Sequence, residues 1–145
     1  MKKILTLVCC TILLAATSCT KKYITPANRT VFFTVKGGAF PAGDWKSTNN
    51  GGSPSYQAIL GDPSKNDLPE LDDFTQHNGA VLVYISFDKG DTYEAVPENF
   101  GGASYSFIHS TNTITITSQS STGGAAVLPT SDMLVKIVLV DSEPQ

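Results

Sequence analysis

Residues 79–96 constrain the fold of this chain more than any other stretch. Every position from 80 to 85 is apolar, so both faces of this strand are expected to be covered, as in the interior of a sheet. The segment continues through a turn that contains Asp88 and Gly90 and returns in a shorter strand, which is the pattern of a β-hairpin. The other segments are therefore expected to pack around this hairpin.

Alternating apolar residues predict further strands on both sides of the hairpin. The last of them is nearly as apolar as the central strand and is expected to lie beside it. About seven short antiparallel strands with little helix predict an all-β fold, a two-sheet β-sandwich of immunoglobulin-like topology, with a small open β-barrel as the alternative. The predicted strands outside the hairpin are residues 29–36, 55–60, 103–110, 113–118 and 132–141.

One short helix is predicted immediately before the central strand. Leu71 and Phe74 are spaced three apart, Pro69 stands near the start and Asp67 precedes it as a capping residue. Gly79 suits a helix end that leads directly into the strand. We expect one or two helical turns.

Two segments rich in glycine, proline and polar residues, 37–54 and 97–103, are predicted to be loops and are the expected places for a ligand. Trp45, the single tryptophan, lies in the first of them. It is predicted either to form a platform for a sugar or peptide or, as the favoured alternative, to plug one end of the core. The candidate aromatic ligand-binding residues are Trp45, Tyr56, Phe100 and Tyr105.

The N-terminus has the layout of an export signal. Two lysines precede an apolar run of about a dozen residues, and Ala16, Thr17 and Ser18 then precede Cys19. Such a run is too short to span a bilayer stably as a mature helix. The small residues before the cysteine resemble the lipobox of bacterial lipoproteins, which implies lipid attachment at Cys19. The alternative is an ordinary secretory signal cleaved elsewhere, or an uncleaved anchor, with Cys19 as a free thiol.

Cysteine positions and charge restrict the remaining possibilities. All three cysteines lie in the first 19 residues, so no disulfide is expected beyond the leader. Without the two leader lysines, 10 − 2 = 8 basic residues face 13 acidic ones, a net charge near −5. This balance argues against a nucleic-acid partner. The predicted organisation is a signal peptide at 1–18, a lipid-anchored linker at 19–28 and a β-sandwich domain at 29–145.

The turn of the central hairpin contains a short motif. Residues 86–93 fit the pattern S-x-D-x-G-x-T-aromatic and resemble the Asp-box of sialidase-type propellers, where the box is structural. Asp88 is expected to accept turn amides, Gly90 to supply a positive φ, and Tyr93 to pack beside the hairpin. A sialidase would need repeated boxes and several arginines, whereas this chain has one box and only Arg29.

A broader resemblance covers most of the mature chain. The lipobox, the segments NRTVFFTV, GAVLVYISFD and TYEAVP, and the closing VKIVL look like those of small uncharacterised Bacteroidetes-type lipoproteins. The resemblance implies neither an activity nor site residues. The residues after Cys19, at 20–22, contain no acidic residue, which favours the outer membrane and its periplasmic side.

Catalytic and metal sites have little support in the sequence. His77 and His109 lack the spacing of a helical zinc pair, and no G-x-S-x-G motif is present, so neither a catalytic residue nor a cofactor is predicted. A calcium ion bound by the acidic segment 62–73 stays open. The predicted function is a lipid-anchored, non-catalytic envelope protein for protein interaction or structure; a carbohydrate- or peptide-binding module is the alternative. The expected partners are the membrane, through the lipid, and an envelope protein or glycan.

Overall fold

The computed structural model describes residues 28–50 and 52–142, which form nine strands and one short helix. The helix, α1, is Asp73–Asn78. The strands are β1 Arg29–Val35, β2 Lys46–Asn50, β3 Ser53–Leu60, β4 Ala80–Ser86, β5 Glu94–Ala95, β6 Glu98–Phe100, β7 Ala103–Ser110, β8 Thr113–Ser120 and β9 Met133–Val140.

The strands form two antiparallel sheets that do not close on themselves. The first sheet has the order β1-β9-β4-β5, and the second has the order β2-β3-β8-β7-β6. The predicted β-sandwich is confirmed. In immunoglobulin constant domains the first strand shares its sheet with the second. Here β1 pairs with the last strand, so the likeness to immunoglobulins does not extend to the strand order.

Strand β9 lies at the centre of the first sheet, between β1 and β4. Its residues alternate strictly, with Val135, Ile137 and Leu139 fully buried against the second sheet. Ile114 and Ile116 of β8 supply the facing layer of the core. The predicted pairing of the closing strand with the central strand is confirmed, because β4 pairs with β9 over its whole length.

The two ends of the first sheet are distinct. Arg29 pairs with Leu139 at the end where β4 begins, and Val35 pairs with Met133 at the end where β4 finishes. The N-terminal entry to the sandwich and the turn after β4 therefore lie at opposite ends of the same sheet.

The prediction that both faces of β4 are covered is wrong. Val83 and Ile85 are buried, but Leu82 on the other face is 44% exposed. The return strand β5 has only two residues, pairing Ile85 with Glu94 and Tyr84 with Ala95. A continuous apolar run was interpreted as burial on both faces, whereas its outward residues form an exposed apolar surface.

Both segments predicted as loops contain strands. The segment 37–54 includes β2 and the first two residues of β3, with Asn49 paired to Pro54. The segment 97–103 includes β6. Strand β2 is an edge strand with the sequence KSTNN, so it has no apolar alternation for a sequence pattern to detect.

Helix α1 begins later than predicted and ends where predicted. Asp72, rather than Asp67, is the N-cap, and its carboxylate accepts the amide of Thr75 at 2.8 Å. This hydrogen bond lowers the pKa of Asp72. Leu71 lies outside the helix and is fully buried, so the predicted face shared with Phe74 does not form.

Candidate functional site

A series of aromatic rings leads from the core to the surface at the end of the sandwich where β4 finishes. Trp45 meets Tyr105 edge-on at 6.4 Å between ring centroids, and Tyr105 is tilted against Phe87 at 5.6 Å. Phe87 and Phe100 then stack nearly parallel, 4.7 Å apart with 9° between their planes. Phe100, the outermost ring, is 46% exposed. We call Phe87 and Phe100 the aromatic rim.

Two tight turns position the aromatic rim. Phe100 ends β6 and pairs with Ala103, and the two residues between them, Gly101 and Gly102, have φ values of 59° and 81°. A two-residue hairpin turn with both central residues at positive φ is typical of type I′, which suits glycine. Phe87 is the first residue after β4, at the start of the turn that leads to β5.

Asp88 organises that second turn. Its carboxylate accepts the Thr92 amide at 3.0 and 3.1 Å, the Thr92 hydroxyl, and the Ser86 hydroxyl at 2.7 Å. The Gly90 amide donates to the Ser86 hydroxyl at 2.9 Å, and Gly90 has a φ of 96°. The hydrogen bonds from Thr92, followed by the one from Ser86, hold the pKa of Asp88 far below its usual range.

Tyr93 packs back against the first sheet. The Lys136 ammonium lies over the Tyr93 ring at 4.4 Å and over the Tyr84 ring at 4.6 Å. A Cβ atom at Gly90 would lie 3.2 Å from the Tyr93 hydroxyl, so the turn leaves little space between them. The motif residues thus act within the turn and its packing.

Three depressions surround Phe87, with volumes of about 140, 150 and 450 Å³. The first two share both rings of the aromatic rim, and the largest reaches the end of β1 and the start of β9. The 140 Å³ depression is lined by Ile85, Ser86, Phe87, Asp88, Thr92, Glu94 and Phe100. The 450 Å³ depression is lined by Thr34, Phe87, Lys89, Ser131, Asp132 and Leu134.

The predicted aromatic ligand-binding residues separate into two groups. Trp45 is fully buried and Tyr105 is 3% exposed, so neither ring offers a face to a ligand, and burial raises the pKa of Tyr105. The platform interpretation of Trp45 is therefore wrong, and its alternative as a core plug holds. Tyr56 is half-buried in β3 and is not among the residues that line the three depressions.

Phe100 is the one candidate of that group at the aromatic rim, and the sequence interpretation missed its partner. Phe87 occupies a variable position of the Asp-box pattern, which drew attention to Asp88 instead. A usable signal was present, because Phe87 follows directly after an apolar strand and begins a turn.

A second exposed feature is the outward face of the first sheet. Phe32 is 61% exposed and lies in register with Lys136, which is in turn opposite Tyr84. Leu82 lies opposite Val138 in the neighbouring row. We call this surface the apolar face; its members are Phe32, Leu82, Tyr84, Leu134, Lys136, Val138 and Val140.

Within residues 28–50 and 52–142, no group of three or more histidine, cysteine, aspartate or glutamate side chains is placed to hold a metal ion. The aspartates of segment 62–73 have local polar partners. Asp62 accepts the Ser64 amide and hydroxyl at 2.9 and 2.6 Å, and Asp73 lies 3.3 Å from His77. The Nδ1 atom of the other histidine, His109, lies 2.7 Å from the Gln76 amide oxygen.

The predicted signal peptide, the lipidated Cys19 and most of the linker lie outside the residues that the structure describes. Among the residues it does describe, no helix has the length and hydrophobicity needed to cross a membrane. Comparison of the chain with protein-family models, with curated proteins and with solved structures found no match.

Proposed function

We propose that this chain is a lipid-anchored, non-catalytic protein of the bacterial cell envelope that binds another envelope protein through the apolar face. The observation that carries the proposal is the exposure of Phe32 on β1 and Leu82 on β4, with half-buried apolar side chains of β9 between them. Contiguous exposed apolar surface is uncommon on monomeric proteins and marks interaction sites.

The composition of the apolar face supports a protein partner. Within the described residues, the outward positions of β1, β4 and β9 carry a single charged side chain, Lys136. Aromatic residues are enriched, and acidic ones depleted, at the centres of protein interfaces. Lys136 is held between Tyr84 and Tyr93, which leaves its aliphatic stem available for apolar contact.

The charge of the chain argues against an anionic membrane surface as the occupant of this face. Residues 19–145 carry a net charge near −5, from 8 basic and 13 acidic residues. Adsorption to anionic lipids relies on clusters of basic side chains. The apolar face has one basic side chain within the described strands, so a protein surface of apolar and aromatic character fits it better.

The proposed location follows from the N-terminal sequence. A basic start, an apolar run and small residues before Cys19 support export and lipid attachment. The absence of acidic residues at positions 20–22 supports the outer membrane. Several acyl chains at Cys19 would give stable anchoring, since a single chain binds a bilayer only marginally.

Site-specific photo-crosslinking in intact cells tests the proposed partner. A benzoylphenylalanine placed at Leu82, on the apolar face, is expected to form a discrete adduct with one other envelope protein. The matched control is the same residue at Ser106, an exposed position of β7 in the second sheet. Mass spectrometry of the adduct identifies the partner and the contact peptide.

Three results would contradict the proposal. One is the same adduct pattern at both positions, and another is no adduct at Leu82 at native abundance. An adduct that contains only this chain would replace the foreign partner with a second copy. Replacing Leu82 and Phe32 together with serine is expected to abolish crosslinking from a probe at Val138, while circular dichroism confirms an intact fold.

A further inference from the structure

We infer that the aromatic rim is a carbohydrate-binding site for a neutral or amino sugar ring. The site lies at the end of the sandwich where β4 finishes, and it uses residues other than those of the apolar face. The inference goes beyond the proposed function, and either one can fail without the other. It rests on the rigidity of the rings, the shape of the depressions and the charge of their walls.

The two stacked rings of the aromatic rim form a rigid surface. Phe100 stacks on Phe87, and Phe87 contacts Tyr105, which is anchored in the core beside Trp45. The outer face of Phe100 is therefore presented on a pre-arranged support, so little side-chain entropy is lost when a ligand binds. A pyranose ring has one face of C–H groups, and such a face packs flat on an aromatic ring.

The shape of the surface beside these rings limits the size of the ligand. Depressions of about 140 and 150 Å³ each border both stacked rings. Each is smaller than the roughly 300 Å³ at which pockets for drug-sized molecules begin, so each suits one small ring rather than a larger ligand. An extended peptide would need a continuous groove or a longer strand edge than those of β5 and β6, which have two and three residues.

The 140 Å³ depression has both apolar and polar walls. Its polar groups are the carboxylates of Asp88 and Glu94 and the hydroxyls of Ser86 and Thr92. The Asp88 oxygens already accept hydrogen bonds from the turn, which leaves Glu94, exposed on β5, as the acceptor for sugar hydroxyls. Apolar walls with a few convergent polar groups are characteristic of small-ligand sites.

The charge of the residues that line the 140 Å³ depression is expected to determine which class of sugar binds. The residues that line this depression, all within the described part of the chain, include two carboxylates and no cationic side chain. A sugar acid would meet like charge from Asp88 and Glu94, and it would have no arginine or lysine with which to pair. A neutral sugar meets no such repulsion, and a protonated amino sugar gains attraction from Glu94.

Saturation-transfer NMR on the full-length protein, purified in a detergent without a sugar head group, tests the inference. The probes are cellobiose, maltose, a β-1,4-linked glucosamine disaccharide and digalacturonic acid. The protein is expected to transfer saturation to the C–H face of one ring of a neutral or amino disaccharide, and to leave digalacturonic acid without signal. Phe100→Ala is expected to weaken binding at least tenfold.

Two further variants test whether binding depends on Phe100 and on the Glu94 carboxylate. Phe32→Ala removes a phenylalanine of the apolar face that is 61% exposed, against 46% for Phe100, and is expected to bind the sugar as the wild type does. Glu94→Gln is expected to reduce any preference for the amino sugar over the neutral ones. The inference is overturned if none of the neutral or amino probes binds at millimolar concentration, if digalacturonic acid binds best, or if Phe100→Ala and Phe32→Ala bind equally well.

Discussion

Asp88 is an exposed residue that nevertheless determines the conformation of the turn between β4 and β5. Its carboxylate accepts hydrogen bonds from the Thr92 amide and hydroxyl and from the Ser86 hydroxyl, and all of these favour the ionised form. The pKa of Asp88 is accordingly held far below its usual range. The turn carries Phe87 at its start, so the charge of one side chain helps to position the aromatic rim.

The first prediction concerns Asp88→Asn. A lowered pKa in the folded state stabilises the fold at pH values above the unfolded pKa of about 3.9, and this contribution is lost as the pH falls. The melting temperature of Asp88→Asn is expected to lie below that of the wild type at pH 7. The gap is expected to narrow once the pH falls below about 4 and to be lost only as the pH falls through the much lower pKa of Asp88 in the folded state.

Thermal unfolding followed by circular dichroism between pH 3 and pH 7 measures this gap. Asp91→Asn is the matched control, because it removes an exposed carboxylate of the same turn and is expected to change the melting temperature little. A gap that stays constant with pH would show that the charge of Asp88 does not contribute.

At this scale the sequence predicted hydrogen-bond chemistry better than burial. Serine, aspartate, glycine and threonine at fixed spacing determine the turn from neighbouring residues alone, so residues 86–93 could be interpreted locally. The burial of Trp45 depends on Tyr105, a residue 60 positions away in the other half of the chain. Contacts between such distant residues leave no pattern in a single sequence.

At the scale of elements, the junction between α1 and β4 is closed by a glycine for a steric reason. Gly79 has a φ of −95°, which any residue can adopt, so the left-handed conformation usual at helix ends is not involved. A Cβ atom there would lie 2.7 Å from the carbonyl oxygens of both Thr75 and Val140. The end of the helix and the end of β9 thus lie too close to Gly79 for this position to carry a side chain.

The second prediction is that Gly79→Ala destabilises the protein by about 1–3 kcal/mol, the usual cost of forcing an extra carbon into a packed site. Urea denaturation measures the change. Gly124→Ala is the control, since a Cβ atom there would meet only the Ser120 hydroxyl at 3.7 Å. Equal stability of the two variants would show that the junction can open without cost.

Elements with an apolar inward face could be predicted, whereas β2 and β6, which lack one, could not. Strands β1, β3, β7, β8 and β9 alternate, and they were found near their predicted bounds. The edge strand β5 has only two residues, but it was predicted as the return strand of the hairpin. The edge strands β2 and β6 have five and three residues, and they pair with a neighbour through backbone groups. Their existence depends on the strand beside them, which the local sequence does not specify.

At the scale of the whole molecule, a polar cluster ties together three parts of the chain. Arg29 donates to the Thr75 hydroxyl and to Asp141, both at 2.8 Å, and Thr75 donates to the same Asp141 oxygen at 2.9 Å. These residues belong to β1, α1 and the segment after β9. The cluster therefore fixes the N-terminal entry of the sandwich to its C-terminal exit.

The third prediction is that Thr75→Val lowers the free energy of unfolding by about 1–2 kcal/mol. Valine keeps the shape of the fully buried side chain, but it removes one hydrogen-bond acceptor and one donor. Chemical denaturation measures the loss. Thr34→Val, at an exposed position of β1, is the control and is expected to leave the free energy of unfolding unchanged. The prediction is contradicted if Thr75→Val lowers the free energy of unfolding no more than Thr34→Val does.

The sandwich itself followed from the strand count and the absence of periodic helix, whereas the strand order did not. Pairing of β1 with β9 brings together residues more than a hundred positions apart, Arg29 with Leu139 for example. The candidate sites also divide into local features, which could be predicted, and features formed by distant parts of the chain, which could not. The turn at residues 86–93 is local and was predicted, whereas the aromatic rim and the apolar face arise from strands that meet only in the folded chain.

The opposite positions of the β1 entry and the aromatic rim have a consequence for how copies of this protein would act together. The seven residues of β1 separate the two ends by roughly 20 Å at about 3.3 Å per residue. If Cys19 carries the proposed lipid, copies anchored side by side in one bilayer would each hold the rim at the end of the domain opposite the entry of β1, and they could form a two-dimensional array of rims. A polymer with repeated sugar rings could then engage several rims at once, so avidity would make weak contacts at each Phe100 sufficient for firm attachment.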